Sequence, residues 1–223
     1  MTEQALELKP VPTRILTDKD NIVDVIEKYV KEDIGPQDVV SVAESVVAIT
    51  QGRFVRPEEI QPSLLARILC RFIAKEGSLA SVYGMQTAMN AEGSWRITWS
   101  LFVGFLGKLV GRSGLFYELA GGQTALIDDV TGTMPPFDKC LVYGPADPNG
   151  VAEAIKQRLG CYGAVVADVN DLKRAAVLGA TQGLVPKEIA QILINNPFGN
   201  ASQKTPIVII KNYGLAVQKN VAQ

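Results

Sequence analysis

The second half of the chain alternates short apolar runs with amphipathic stretches, and this β-α-β rhythm limits the fold more than any other feature. Asp147 stands where it can cap a helix carrying Val151, Ile155 and Leu159, and Gly160 supplies the stop. GAVVAD (163–168) then reads as a buried strand ending in a carboxylate. AAVLGAT (175–181), a helix over 186–194, a polar loop over 195–205 and the strand PIVIIK (206–211) complete the pattern. A mixed α/β fold follows.

The first half continues the alternation less regularly. VPTRIL (11–16) reads as a strand, and Thr17 with Asp20 resembles a capping box before a helix through Ile22, Val23, Ile26, Tyr29 and Val30. Gly35-Pro36 ends that helix. VVSVAESVVAI (39–49) is β-branched and suits one buried strand, although Glu44-Ser45 places polar atoms at its middle. A turn at 51–53, a short strand FVR and a helix over 57–76 with the stripe Leu64, Leu65, Ile68, Leu69 and Phe72 come next. TALIDD (124–129) and CLVYGP (140–145) read as strands joined by the loop TGTMPPFD.

Residues 94–122 resist placement. They are rich in Trp, Phe and Leu, with glycines at 104, 107, 111, 114, 121 and 122. No phosphate-loop spacing is present, so close packing of elements is the use expected of these glycines. Trp95 and Trp99 read as core, and the apolar stretch 97–110 as either core or interface. That stretch is shorter than the ~18 apolar residues needed to span a bilayer.

Composition removes whole classes of chemistry. The 223 residues contain no histidine, which excludes Ser-His-Asp triads, histidine zinc sites and every imidazole acid–base mechanism. Three cysteines with no C-x-x-C pair read as structural thiols in a reduced compartment. The net charge of −1 offers no broad basic face for nucleic acid. The first ten residues lack the pattern of a signal peptide, so a cytoplasmic location is expected.

Carboxylates at strand ends remain the most informative candidates. Asp128, Asp129 and Asp168 each close an apolar run, a place where α/β folds commonly put ligand groups and where Mg²⁺ or Mn²⁺ finds hard oxygen donors. Aspartate is equally at home there as a helix cap or in an Asx turn. The residues by themselves name no substrate.

The order of LKPVPTRIL, VVSVAESVVAITQGRFV, DPNGVAEAIKQRLG and GAVVAD resembles the gamma-glutamyl ligases of the deazaflavin coenzyme F420, the coenzyme F420-0:L-glutamate ligase family. Its patterns are a P-x-x-T strand, [IV]-A-S-[KT]-V-V-S-K-x-E-G-R, G-V-D-x-S-N, D-P-D-x-S-A-x-x-I and an S-D-T strand end. The likeness spans most of 7–90 and 124–211 and is poor over 91–123.

This resemblance implies one ligase-like domain over 1–223, a two-lobed mixed-sheet fold and a butterfly-like homodimer. It further implies GTP, Mg²⁺ or Mn²⁺, and amide formation between a carboxylate and an amine such as glutamate through an acyl phosphate. No nucleic acid and no membrane partner are expected. Pro10 and Thr13 match the P-x-x-T strand; Ser45 and Gln203 join them as nucleotide-binding candidates. Asp128 or Asp129 matches the aspartate of G-V-D-x-S-N, whose asparagine becomes Thr131 or Gly132, and Asp168 that of S-D-T.

Departures from the patterns are as informative as matches. The lysine of S-K-x-E-G-R falls on Ile49, Glu44 replaces a serine, and Ala167 and Val169 flank Asp168 in place of serine and threonine. An ammonium facing phosphate is a charge-assisted contact that isoleucine cannot make. Two readings therefore stand: an acid–amino-acid ligase, or a ligase-like binding or structural protein with a degenerate site.

Overall fold

A computed structural model describes residues 6–74, 77–129, 135–199 and 203–221. The chain forms two compact units, one of residues 1–52 with 145–223 and the other of residues 53–144. Each has its own apolar core.

The first unit is built on β1 (Glu7–Val11), α1 (Ile22–Val30), β2 (Val39–Ala43) and α2 (Glu44–Thr50). Its second unit counterpart contributes β3 (Phe54–Val55), α3 (Leu64–Leu69), α4 (Val82–Glu92), α5 (Ser94–Leu109), α6 (Leu115–Ala120) and β4 (Leu141–Val142). The chain then returns to the first unit with α7 (Pro148–Leu159), β5 (Gly163–Asn170), β6 (Arg174–Ala180), α8 (Pro186–Leu193), β7 (Ile207–Lys211) and α9 (Tyr213–Val221).

Five strands form a mixed sheet in the order β1-β7-β2-β5-β6, with β2 and β5 parallel and the other pairs antiparallel. Both faces are covered, which explains the near-continuous Val and Ile runs of β2, β5 and β7. One face packs α1 and α7 through Val25, Ile26, Val30, Ala152 and Ile155. The other packs Ile189, Leu193, Phe198 and Tyr213.

Local chemistry sets the helix ends. Asn21, rather than Thr17, caps α1 by accepting from the N–H groups of Val23 and Asp24. Asp20 closes the preceding turn on the Thr17 N–H and pairs with Arg14. Asp147 caps α7 through the Gly150 N–H at 2.9 Å, and Gly160 ends it in the left-handed region, as the sequence predicts.

Several boundaries differ from the sequence reading. The first strand lies at 7–11 rather than 11–16; it is a sheet edge, where Pro10 is tolerated because its missing N–H costs no ladder bond. The run 39–49 is a strand only to Ala43; from Glu44 it coils into α2, which buries Val47 and Ile49 despite their β propensity, together with Ala48. The helix expected over 57–76 breaks into a 3-10 turn, α3 and a second 3-10 turn. Pro62 lacks an N–H and biases Gln61 to extended backbone, and Ser63 restarts the helix as its cap. Residues 75 and 76 lie outside the described residues.

In the second unit Leu79, Met85, Ala88, Met89, Ile97, Phe116 and Ile127 form the core, beside a small antiparallel pair of β3 and β4. TALIDD contributes only a single bridge, Asp128 with Val142, and CLVYGP only residues 141–142. The segment 94–122 holds α5 and α6, and of its glycines Gly104 and Gly107 serve close packing of these two helices, whereas a Cβ at Gly111 or Gly122 would meet nothing within 4 Å. A Cβ at Gly104 would lie 2.9 Å from that of Phe116, and one at Gly107 2.4 Å from Leu115 Cδ1. Trp95 and Trp99 are not core: both are exposed on α5.

Candidate functional site

Strand direction gathers the candidates of the first unit. β1, β2 and β5 run one way and β6 and β7 the other. Hence the residues after β1, β2 and β5 and those before β6 and β7 meet at one end of the sheet. Thr13 follows β1, Ser45 is the second residue of α2 after β2, Gln203 precedes β7 and Asp168 lies near the end of β5. Pro10 sits within β1, paired with Val208. Four segments distant in sequence thus converge.

Backbone bonds tie this end together. The Thr13 N–H donates to the Lys204 carbonyl at 2.8 Å and the Ala43 N–H to the Pro206 carbonyl at 2.9 Å. Thr13 is buried with its hydroxyl donating to the Arg14 carbonyl, whereas Ser45 is half-buried and Gln203 exposed.

Asp168 is not the last strand residue, since β5 runs on to Asn170 and Asp168 pairs with Ala176 of β6. It follows Ala164 and Val166 on the face that packs α1 and α7. Burial pushes its carboxyl above the usual carboxylate range. Ala43 and Ala167 are the last register partners of the parallel pair; beyond them the chain coils into α2 at Glu44 while β5 continues through Asp168. Glu44 is buried.

Sequence reasoning singled out Glu44 as an oddity without giving it a role. It gives no role to Lys173 just before β6, Arg174 at its start or Lys204 before β7, which topology brings to the same end. As exposed charges in polar loops they carried no signal; only the strand order gives them an address.

Asp128 and Asp129 belong to the second unit, where Asp128 exchanges backbone bonds of 2.9 and 3.0 Å with Val142 and both are half-buried. Thr131 and Gly132 lie outside the described residues, as do 200–202 of the polar loop. Among the described residues no three acidic or cysteine side chains gather into a group that could hold a metal. Arg53 is held by the Gly144 carbonyl at 2.6 Å, the Gln123 amide oxygen at 2.8 Å and the Tyr143 ring. Ile49 lies in the core. The three cysteines are buried and form no disulfide, and no helix of the described residues is long and apolar enough to cross a membrane.

Residues 10–89 match the model of the F420-0:Gamma-glutamyl ligase family. The match runs from the last two residues of β1 through β2 and most of α4 and stops before α5. No curated protein matches the chain.

Proposed function

We propose that the chain is an amide-bond ligase of the gamma-glutamyl type, joining a small carboxylate acceptor to glutamate or a similar amine at the cost of GTP. The observation that supports it most is the family match over 10–89, which places Pro10, Thr13 and Ser45 in the matched segment, together with their convergence on Asp168. The acceptor carboxylate takes the terminal phosphoryl group, giving an acyl phosphate and GDP. The amine then attacks the acyl carbon, loses a proton and expels inorganic phosphate.

Each residue has a definite part in this reading. Thr13, Ser45 and Gln203, with Pro10 shaping the strand, hold the nucleotide; Lys204 and Arg174 offset phosphate charge. Mg²⁺ or Mn²⁺, when bound, neutralises the phosphates, and a metal that keeps several waters needs only one or two carboxylates. Asp168 and Glu44 in the first unit, and Asp128 with Asp129 in the second, are oxygen donors of the required kind. The protein acts as a cytoplasmic homodimer on small molecules, without nucleic acid or membrane.

Ile49 favours the second reading, a binding protein without turnover. The residue is 3% exposed, where the family pattern has an ammonium. A thermal-shift titration with GTP, ATP and GDP, each with and without Mn²⁺, separates the two. The ligase reading expects a rise requiring nucleotide and metal together, following RT ln(1 + [L]/Kd), and lost in Asp168→Asn. No rise with any pair at millimolar ligand would leave the non-catalytic reading in place. Asp128→Asn and Asp129→Asn, run in parallel, report on the second unit separately.

A further inference from the structure

The α5 helix is built inside out. Its buried face carries Ile97, Ser100, Gly104 and Gly107, mostly small residues that let α6 approach. Its large side chains point outward: Trp95 is 79% exposed, Trp99 52%, Phe102 54%, Phe105 60%, Leu106 45% and Leu109 69%. Trp95 stacks on Trp99 at 6.5 Å and Trp99 meets Phe102 in a tilted contact at 5.8 Å, so the row is a continuous apolar surface.

Residues 95, 99, 102, 106 and 109 follow one another at steps of four, three, four and three. That is the a/d seam of a heptad, a pattern that suits packing against another helix. Taking ~150–250 Å² for a large aromatic, the exposed fractions leave on the order of 800 Å² of apolar surface along the helix. This exceeds the ~300–600 Å² of the largest patch on a typical monomer. It equals the ~800 Å² that each partner contributes to a stable complex.

Charge is scarce along this face. Between Trp95 and Leu109 the ionic side chains are Arg96, paired with Glu92 at 3.0 Å, and Lys108. Aromatic enrichment with charge depletion marks the centre of a protein interface. A two-fold contact asks one patch to complement itself, and an uncharged heptad seam does so. We propose that α5 is the surface through which two copies of this chain associate, with the seam of one helix packed on that of the other. This deepens the homodimer in the proposed function by naming its interface, and α5 lies beyond the segment that matches the family.

Light scattering after size exclusion tests it across a concentration series. The wild type is expected at twice the 24.0 kDa chain mass, and Trp99→Glu/Phe102→Glu at the chain mass with an unchanged far-UV spectrum. Leu172→Glu, an exposed position in the first unit, is expected to leave the dimer intact. Should the double variant misfold, hydrogen exchange on the wild type decides. Amides of 95–109 are expected to lose protection on dilution, and Trp99→Ala to weaken association at least about tenfold. A double variant that stays folded and dimeric would overturn the α5 assignment while leaving the homodimer standing. A wild type that is monomeric at every concentration would overturn both. A monomer that floats with phosphatidylserine vesicles through α5 would give the surface to lipid and overturn the second copy as its occupant.

Discussion

Two aspartates show how one side chain's surroundings set its value. Burial alone would raise the Asp38 carboxyl, yet N–H groups of Asn212 and Gly35 and the Lys211 ammonium together hold it below the ordinary carboxylate range. A depressed value means the stabilisation is complete above the unfolded value near 4 and lost as pH falls through the folded one. Removing the carboxyl strands Lys211, so Asp38→Ala is expected to cost about 3 kcal/mol at neutral pH in urea unfolding, and much less in acid. Asp168 is the opposite case. Its raised carboxyl penalises the folded state increasingly as pH rises through the folded value. Without ligand, Asp168→Asn should therefore melt above the wild type at pH 7, with the gap closing on acidification. An unchanged melting temperature at both pH values would show that Asp168 is solvated rather than buried.

At the scale of elements, legibility in the sequence tracked whether local and tertiary demands agreed. α7 was readable because Asp147, the stripe Val151, Ile155 and Leu159, and Gly160 all point to the same helix. α2 was not, because Val46, Val47 and Ile49 have strand propensity, and it is tertiary packing, with Val46 and Val47 joining the core under α1 and α7, that overrides it. α5 misled differently. Large aromatics at helical spacing read as core, whereas the buried face is Ile97, Ser100, Gly104 and Gly107, the two glycines lying against Phe116 and Leu115 of α6. The consequence is measurable. Gly104→Val must push a methyl pair into the Phe116 backbone and Cβ, which lie 2.9–3.2 Å from a Cβ there. A loss of about 1–3 kcal/mol is expected. Seen as a lower urea midpoint, it should contrast with the outward-facing Phe105→Ala, which removes no contact within the second unit's core.

For the molecule as a whole, the chain order explains why only part of the candidate site could be read in advance. The sheet is assembled from β1 and β2 at one end of the sequence and β5, β6 and β7 at the other, with β7 inserted between β1 and β2. No local pattern reports that insertion. It is nevertheless what carries Lys204 to Thr13, and parallel pairing of β2 with β5 is what brings the start of α2 and the end of β5 to the same end of the sheet. The second unit enters as a single excursion, leaving at Gly52 and returning at Pro145, and the crossing points are neighbours. Ala146 donates to the Gln51 side chain at 2.8 Å within the first unit, and Tyr143 to the Arg53 carbonyl at 2.9 Å within the second. Replacing 53–144 by a short glycine-rich turn therefore leaves both apolar clusters of the sheet complete. Such a chain is expected to fold, with a cooperative thermal transition and the far-UV spectrum of a mixed α/β protein. Lacking α5, it should also be monomeric where the full chain is dimeric. A folded but still dimeric product would move the interface to the sheet, and an unfolded one would show that the first unit depends on residues 53–144 for more than continuity.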